Sequence, residues 1–495
     1  MGEPQSTPGP ANARPTKTRF LVLAWLCAAA ALAYVSRNSI AVAESTVRSD
    51  LGLTKQQSGW LMSAFFFSYA LCSIPAAQFG QRIGSRRALP LFATVWSAAT
   101  AVTAFVGGLG GFLVTRIVQG VAQSGLFPTT TITIANWFPL TGRAFAVGAL
   151  GSFMSLGGAV CAWLTGVLLE VFEARVAPGW NWRLTFLLFS LPGMAWAICF
   201  WWWFRDEPGE HRAVNEAELR VIQESQAMVP PLPSLSPAPS GGEGEVRGED
   251  GRQIQEPLSP ALSSRGTSGE REKSGAVSGC APAPPTPWLA LFSSPALWWL
   301  CGQQAFRAAG YIFFTSWFAT YLQETRGVSI AHSGFLNMLP LIVVVVAGMV
   351  GGGLSDWLLK QTGRRDVARR WMSMVSLLTC AGLIFLALTI ENALTAVLVI
   401  SAGSFFAALA SPCAYAMTID MGGAHVATVN ATMNMMGNFG AWAFPILVPW
   451  LLARFGNWDA VLIVFGTLYV MGALFWLLLK PEGTIVEQAL CRETR

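Results

Sequence analysis

Twelve apolar runs, each long enough to cross a lipid bilayer, constrain this chain of 495 residues more than any other feature. A helix needs about 20 apolar residues to cross the hydrocarbon core, since each residue advances it by about 1.5 Å. Hydrophobic residues make up 53% of the chain and charged residues only 12%, about half the share of a soluble protein. This pattern excludes a soluble enzyme, a coiled coil and a wholly disordered chain.

The runs fall into two groups of six, separated by one long polar segment. They lie at 20–43, 59–79, 88–108, 112–135, 144–169 and 184–204, and then at 297–322, 333–354, 371–390, 394–416, 428–452 and 459–479. The sequence therefore predicts an all-α integral membrane protein with 12 transmembrane helices in two halves (6+6) and a long central cytoplasmic loop.

The predicted organisation places a six-helix half on each side of this loop. Residues 228–287 are rich in Pro, Ser, Gly and Glu and are predicted to be disordered, because they cannot bury enough apolar surface to fold. The predicted segments are a cytoplasmic tail at 1–19, a first half at 20–204, a cytoplasmic loop at 205–287, a second half at 288–480 and a cytoplasmic tail at 481–495.

The distribution of Lys and Arg over the short loops indicates the orientation. With the N-terminus in the cytoplasm, the short cytoplasmic segments hold twelve basic residues and the outer loops and helix ends hold six. Cytoplasmic loops carry the excess of basic residues in membrane proteins. We therefore expect an integral protein of the cytoplasmic (inner) membrane with both termini in the cytoplasm.

Two loops in equivalent positions of the two halves carry similar motifs. The loop between helices two and three reads GQRIGSRR over 80–87, and the loop between helices eight and nine begins GLSDW at 353 and continues GRR at 363. Both resemble the repeated G-x-x-x-D-R-x-G-R-R motif of the major facilitator superfamily. In the first copy, Ala77 replaces the first Gly of the motif and Gln81 replaces its Asp. We therefore expect its charge contacts between helix ends to be weaker or to use other residues. The resemblance implies cytoplasmic gating roles for Arg82, Gly84, Arg86, Asp356, Gly363 and Arg364.

Further segments resemble one branch of this superfamily, the anion:cation symporter family of sugar-acid, phthalate and sialic-acid permeases. They are YVSRNS in helix one, RIVQGVAQS in helix four, WFP in the next loop and WFATYL in helix seven. By this resemblance, the function is secondary transport of a small organic anion, with Arg37 as the ligand of the substrate carboxylate and Arg116 in the same chamber.

Three arginines lie inside predicted helices: Arg37, Arg116 and Arg307. An intramembrane Arg costs at least about 2.5–3.5 kcal/mol, so each should face the bundle interior or a water-filled cavity. Arg37 is expected about 10 Å from the outer end of helix one. For Arg37 the alternative is a side chain that reaches the membrane surface. For Arg116 it is such a side chain or a structural pair, and for Arg307 it is a pairing with polar groups of the second half.

Polar uncharged residues complete the predicted substrate site. Gln123 would line the first half beside Arg116, while the hydroxyls of Tyr69 and Tyr311 could bind a polyol acid. Asn434 and Asn438 share one face of helix eleven because they are four residues apart. They would form either a hydroxyl-binding wall or hydrogen bonds between helices.

Two positions that would couple transport to a proton hold neutral residues in this sequence. In proton-coupled bacterial relatives an Asp precedes the helix-one Arg and a Glu follows the helix-four Arg, whereas here these positions are Ser36 and Gln123. Three hypotheses stay open: coupling through a peripheral acid such as Glu44, coupling to another cation such as sodium, or uniport.

Other function classes receive no support from the sequence. The three His and nine Cys form no CxxC or Cys/His cluster, and no phosphate-binding Walker loop is present. We therefore predict a monomeric transporter rather than an enzyme, with no cofactor, no metal and no nucleic-acid partner. Two alternatives are a transporter-like membrane sensor of an organic anion and an exporter of amphiphilic acids.

Overall fold

Backbone polar groups in lipid must find partners within their own segment, so membrane-spanning segments of such a chain form helices. A computed structural model describes residues 14–227, 288–422, 425–480 and 485, and these residues contain helices, turns and no β-strand. The segment 228–287 that was predicted to be disordered and most of both predicted tails lie outside the described residues.

The first half consists of seven helices that make six spans. The fourth span is two helices that meet at Gly125, where an added Cβ would lie 2.3 Å from the ring of Phe92. Close contact with this ring therefore requires glycine at the break. The helices are α1 (Thr18–Asp50), α2 (Lys55–Ile83), α3 (Ser85–Thr103), α4 (Leu109–Ser124), α5 (Leu126–Trp137), α6 (Leu140–Glu173) and α7 (Trp180–Trp203).

The second half also makes six spans, and here the first span is the divided one, with its break at Trp317. Before it come a 3-10 turn at Pro208–Glu210 and α8 (Glu216–Ala227). Its helices are α9 (Trp288–Ser293), α10 (Pro295–Ser316), α11 (Phe318–Arg326), α12 (Ile330–Thr362), a π-helical turn at Asp366–Trp371, α13 (Met372–Ala387), α14 (Ala393–Gly422), α15 (Val426–Phe455) and α16 (Asp459–Leu478).

The predicted spans correspond to this helix order. Nine helices among the described residues are long and apolar enough to cross a membrane, and α3, the α4–α5 pair and the α10–α11 pair occupy the remaining three predicted runs. The predicted all-α fold with twelve spans in two sets of six is confirmed.

The two halves meet along two seams, α2 against α15 and α6 against α12. Small residues allow close approach there, since lipid supplies no hydrophobic drive between helices. A Cβ added to Gly59 would lie 2.5 Å from the carbonyl oxygen of Pro445, and one added to Gly334 would lie 2.5 Å from that of Ala162. Either substitution would push the halves apart.

Polar contacts join the halves at the end of the bundle that is opposite residues 14 and 480. We call this end the far end and the other the near end. The far-end contacts that cross between the halves are Thr320 Oγ1 to Glu44 Oε2 (3.1 Å), Ser45 Oγ to Gln323 Oε1 (2.7 Å), Arg48 Nη2 to Glu324 Oε1 (3.4 Å) and Lys55 Nζ to Glu324 Oε2 (2.6 Å). The structure is therefore closed at the far end.

The segment that follows α7 packs against the near end of the first half. Glu218 is fully buried, and its carboxylate accepts hydrogen bonds from the backbone N–H groups of Thr18 and Arg19, both at 3.2 Å. This carboxylate satisfies donors that the first turn of α1 leaves free. Burial, followed by the charge of Arg205, lowers the pKa of His211.

Candidate functional site

Arg37 lies further from the end of its helix than the sequence predicted. The apolar run ends at residue 43, but α1 continues to Asp50 because its last turns pack against the second half at the far end. Arg37 is therefore about 20 Å from the far end of its helix rather than about 10 Å. Its guanidinium lies against rings of α1 and α2, so Arg37 faces the protein interior.

Four aromatic rings surround the guanidinium of Arg37. Its Cζ lies 4.9 Å from the ring centroid of Tyr34, 4.6 Å from Phe65, 4.7 Å from Phe66 and 5.4 Å from Tyr69. Such rings attract a cation through their quadrupoles, but they neither neutralise its charge nor accept its hydrogen bonds in full. Within the described chain, no carboxylate forms an ion pair with Arg37. Among the described residues its positive charge therefore has no counter-ion.

Arg116 lies behind the same aromatic group but has partners of its own. It is 1% exposed and donates to the carbonyl oxygens of Leu61 (3.3 Å) and Arg37 (3.2 Å) and to Gln119 Oε1 (2.9 Å). Its Cζ lies 5.1 Å from the ring centroid of Phe65. These contacts give Arg116 the role of a support for α1 and α2 behind the wall that carries Arg37.

Gln123 also links helices of the first half. It is 2% exposed, and its Nε2 donates to the carbonyl oxygen of Ala33 at 3.0 Å and to Ser36 Oγ at 3.2 Å. The two positions that are acidic in proton-coupled relatives are thus neutral and bonded to each other. They hold α4 against α1.

Arg307 is the cation of the second half. Its Nη2 donates to Gln304 Oε1 at 2.8 Å, whereas its Nε is buried with no hydrogen-bond partner among the described residues. Tyr311 lies one turn further along α10, within electrostatic range of both Arg37 and Arg307 and close to Ser155 of α6. Tyr311 therefore reaches from the second half to α6 of the first.

Asn434 and Asn438, on one face of α15, differ in how many of their amide groups are already hydrogen-bonded. Asn434 Nδ2 donates to Asn430 Oδ1 at 2.6 Å, and the hydroxyl of Tyr415 donates to Asn434 Oδ1 at 3.3 Å. Asn438 Nδ2 donates to the carbonyl oxygen of Asn434 at 2.9 Å. The described residues donate no hydrogen bond to Asn438 Oδ1, so of the two predicted residues Asn438 has the freer amide.

Partial exposure separates the residues that face the interior space from those behind it. Arg37 and Arg307 keep partial solvent exposure although both lie near the middle of their spans, whereas Arg116 and Gln123 are buried. The other partly exposed residues around the two arginines are Tyr34, Tyr69, Tyr311, Tyr415, Asn434 and Asn438. The candidate site is a cluster of polar side chains inside the bundle, with two arginines and with tyrosine and asparagine side chains around them.

Several residues of this pocket were not predicted. Phe65 and Phe66 come from an all-Phe run in α2 whose orientation the sequence does not give. Gln304 precedes Arg307 by three residues, a spacing that puts both on one face of a helix and could have revealed the pair. Tyr415 is one of only six Tyr in the chain, and a hydroxyl inside an apolar run could have marked it as a candidate.

In the first motif copy, the acidic partner is Asp206, which follows the end of α7. Gly84 has φ of 81° and ends α2, and a Cβ there would lie 2.6 Å from Asp206 Oδ2. Asp206 Oδ1 accepts a hydrogen bond from the backbone N–H of Arg86 at 2.9 Å, and the Arg86 side chain donates to the carbonyl oxygen of Trp201 at 3.3 Å. Arg82 is exposed. Asp206 thus ties the start of α3 to the end of α7.

The second motif copy keeps its own acid. Asp356 Oδ1 accepts from Arg369 Nη1 at 3.4 Å, and Arg369 Nε lies 3.6 Å from Asp420 Oδ2. Gly363, with φ of 64°, ends α12, while the side chain of Arg364 is exposed. The charge contacts of this copy therefore run through Arg369 and join α12, the π-helical turn and α14.

Comparison with known proteins identifies the family. The sequence profile of the Major Facilitator Superfamily matches residues 26–367 and 363–490. This chain belongs to the major facilitator superfamily. The family and the relatives of this facilitator are transporters and not enzymes, as the sequence predicts.

The curated relatives of the facilitator match along nearly their whole length. A probable sulfoacetate transporter of Cupriavidus necator is 28% identical over 471 residues, which cover 95% of each chain. The D-galactonate transporter of Escherichia coli is 25% identical over 96% of this chain and 98% of that one. The hexuronate transporter of Bacillus subtilis is 25% identical over 95% and 98%. The predicted resemblance to sugar-acid permeases is confirmed.

Solved structures share the fold of the facilitator. A bacterial homologue of the human lysosomal transporter Spinster, in an inward-facing and unoccupied conformation, has a TM-score of 0.67 at 17% identity and covers 96% of this chain and 98% of its own. A D-xylose–proton symporter has a TM-score of 0.61 at 14% identity and covers 92% and 97%.

Proposed function

We propose that this facilitator is a secondary transporter of a small organic anion, a sugar acid or related carboxylate, and that it works by alternating access. The observation that carries the proposal is the guanidinium of Arg37, which sits in the middle of the bundle among four rings without a carboxylate partner among the described residues. An uncompensated cation at this depth is costly. An anionic substrate would supply the missing charge.

In this proposal, each polar residue of the site binds a different part of the substrate. Arg37 binds the anionic head through its planar fork, which suits two oxygens of a carboxylate. Arg307 binds a second anionic or polar group through the donors that Gln304 leaves free. Tyr69, Tyr311 and Asn438 bind hydroxyls of the substrate.

The names of the relatives narrow the substrates to be tried. They are transporters of sulfoacetate, D-galactonate, hexuronate and galactarate or D-glucarate. All of these compounds are small, hydrophilic acids. We propose that the substrate of this chain belongs to the same class.

The location and coupling of the transporter are also proposals. We place it in the inner membrane as a monomer, with the near end and both termini in the cytoplasm, because basic residues concentrate in the near-end loops. In this orientation the structure is closed to the outside. The coupling cation would be a proton or sodium, and Ser36 and Gln123 cannot carry a proton at physiological pH because neither titrates.

Uptake into proteoliposomes tests the proposed function. Purified protein should accumulate at least one labelled acid from the panel of relatives' substrates, whereas a hydrophilic cation of similar size should not accumulate. Arg37→Gln should abolish uptake, and Arg212→Gln, which removes an exposed arginine outside the spans, should leave it unchanged. Acid uptake that survives in Arg37→Gln would contradict the assignment of the site.

A second measurement in the same liposomes identifies the coupling ion. Substrate-induced alkalinisation of the external buffer would indicate proton symport, and uptake that depends on sodium would indicate sodium symport. Uptake without either response would contradict coupling to these cations and leave uniport.

A further inference from the structure

The charged side chains of the candidate site all carry the same sign. Arg37 and Arg307 keep partial exposure inside the bundle, and Arg116 lies behind Arg37, with its Nη1 donating to the carbonyl oxygen of Arg37 at 3.2 Å. Within the described chain, no carboxylate forms an ion pair with any of these three arginines. Before a substrate binds, the middle of the bundle therefore holds an excess of positive charge.

The carboxylates of the spanning helices lie toward the two ends of the bundle, where other cations bind them. Glu44 is seven residues, or about 10 Å, from Arg37 along α1 and pairs with Arg48 at 2.8 Å. At the near end, Asp356 pairs with Arg369 at 3.4 Å. These acids therefore do not balance the arginines of the site.

Neutral groups compensate the charges of the site only in part. Aromatic rings surround the guanidinium of Arg37, while Arg307 donates to Gln304 Oε1 at 2.8 Å and its Nε has no partner among the described residues. Rings and amide dipoles attract a cation, but they carry no net charge. Alternating access passes through a state in which both ends are closed, and enclosing this excess charge inside a membrane is costly.

A bound acid removes much of this cost. Its carboxylate on Arg37, and a second anionic group on Arg307 where the acid has one, bring opposite charge to the site, and this attraction is strongest where water is excluded. A bound proton or sodium ion would instead add positive charge. Neither cation can therefore take the place of the acid when the site changes from one side of the membrane to the other.

We propose that this facilitator works chiefly as an acid exchanger, which carries one acid inward and another outward in each cycle because the empty site returns slowly. One acid crosses for each acid that returns, so the charge balances without another species when the two acids carry the same charge. This inference rests on the proposed function, since it takes the cargo to be an organic anion. It adds what the site carries on the way back.

Paired uptake measurements in proteoliposomes test the proposal on the full chain. Labelled sulfoacetate, D-galactonate and D-glucarate are added one at a time to liposomes that contain either the same unlabelled acid or galactose at equal concentration. Equal potassium on both sides with valinomycin holds the membrane potential at zero, so that net entry of an anion is not slowed by charge. For an acid that is transported, the initial rate should be at least about tenfold higher with internal acid, a barrier difference of about 1.4 kcal/mol.

Variants that change the charge of the site should change the ratio of exchange to net uptake. Gln304→Glu gives Arg307 a carboxylate partner of the same shape, so the empty site becomes easier to enclose and the ratio should fall toward one. Arg307→Gln removes one charge and should lower the ratio for D-galactonate, a monoacid. The matched control is Gln57→Glu at the start of α2, where Oε1 accepts from the backbone N–H of Thr54 at 2.8 Å, and it should keep the wild-type ratio.

Two results would overturn the proposal. One is an equal rate with and without internal acid in the wild type. The other is a wild-type ratio that persists in both Gln304→Glu and Arg307→Gln, because the slow return would then not depend on the charge of the site. Since each comparison is a ratio, a variant with fewer folded molecules still gives a result. Failure of all three acids to enter under either condition would instead contradict the proposed function.

Discussion

The two walls of the interior pocket present their arginines in different surroundings. On the first half, aromatic rings surround Arg37 and leave its hydrogen-bond donors unused. On the second half, Arg307 already donates to Gln304, and amides and phenols stand around it. Rings stabilise a cation without competing for its donors, whereas an amide occupies one. This difference supports our proposal that the first half binds the charged head of the substrate and the second half selects the rest.

The comparison also explains why Arg37 and Arg116 are not equivalent although both lie close to Phe65. Arg116 is buried and donates to two carbonyl oxygens and an amide oxygen. An arginine with such partners is part of the scaffold. This wall thus has one arginine with no carboxylate partner among the described residues and one that is hydrogen-bonded to the backbone behind it.

The largest effect on the second wall is expected from Arg307→Gln. Loss of a charged donor weakens binding by about 1.5–3 kcal/mol, or about tenfold or more. We expect this loss for diacids such as galactarate, measured by calorimetric titration, and a smaller loss for monoacids such as galactonate. Arg175→Gln, an exposed arginine at the far end, serves as the control. Equal losses of affinity for both acids would show that Arg307 does not bind a second anionic group.

A smaller effect is expected from Asn438→Ala. A single neutral hydrogen bond contributes about 0.5–1.5 kcal/mol, so affinity for hydroxylated acids should fall about two- to tenfold, while affinity for an acid without hydroxyls should not change. Asn434→Ala should instead lower the thermal unfolding temperature, because Asn434 accepts a hydrogen bond from Tyr415 of the neighbouring helix. If both variants changed affinity alike, the division between a packing and a binding amide would be wrong.

Sequence patterns predicted the fold well and the site in part. Apolar runs determine spans because helix length must match the hydrocarbon thickness, so all twelve could be located. They do not determine where a helix ends. Helix α1 extends beyond its apolar run, so Arg37 lies further from the helix end than expected.

The roles of single residues depended on orientation, which a sequence does not contain. Arg116 and Gln123 looked like pocket residues, but the structure buries both against backbone carbonyls. The rings of Phe65 and Phe66 appear around Arg37 only once α1 and α2 are packed. The contact of Asp206 with Arg86 likewise depends on how the end of α7 packs against the start of α3.

The central claim is that Arg37 binds the negative charge of the substrate, and a matched pair of ligands tests it most directly. Calorimetric titration should compare a transported acid with its neutral amide, on the wild type, on Arg37→Gln and on the control Arg212→Gln. The account predicts that the wild type and the control bind the acid at least about a hundredfold more tightly than the amide, a charge-assisted bidentate contact contributing about 3 kcal/mol. Arg37→Gln should bind both weakly and alike. A preference for the acid that survives in Arg37→Gln would contradict the account.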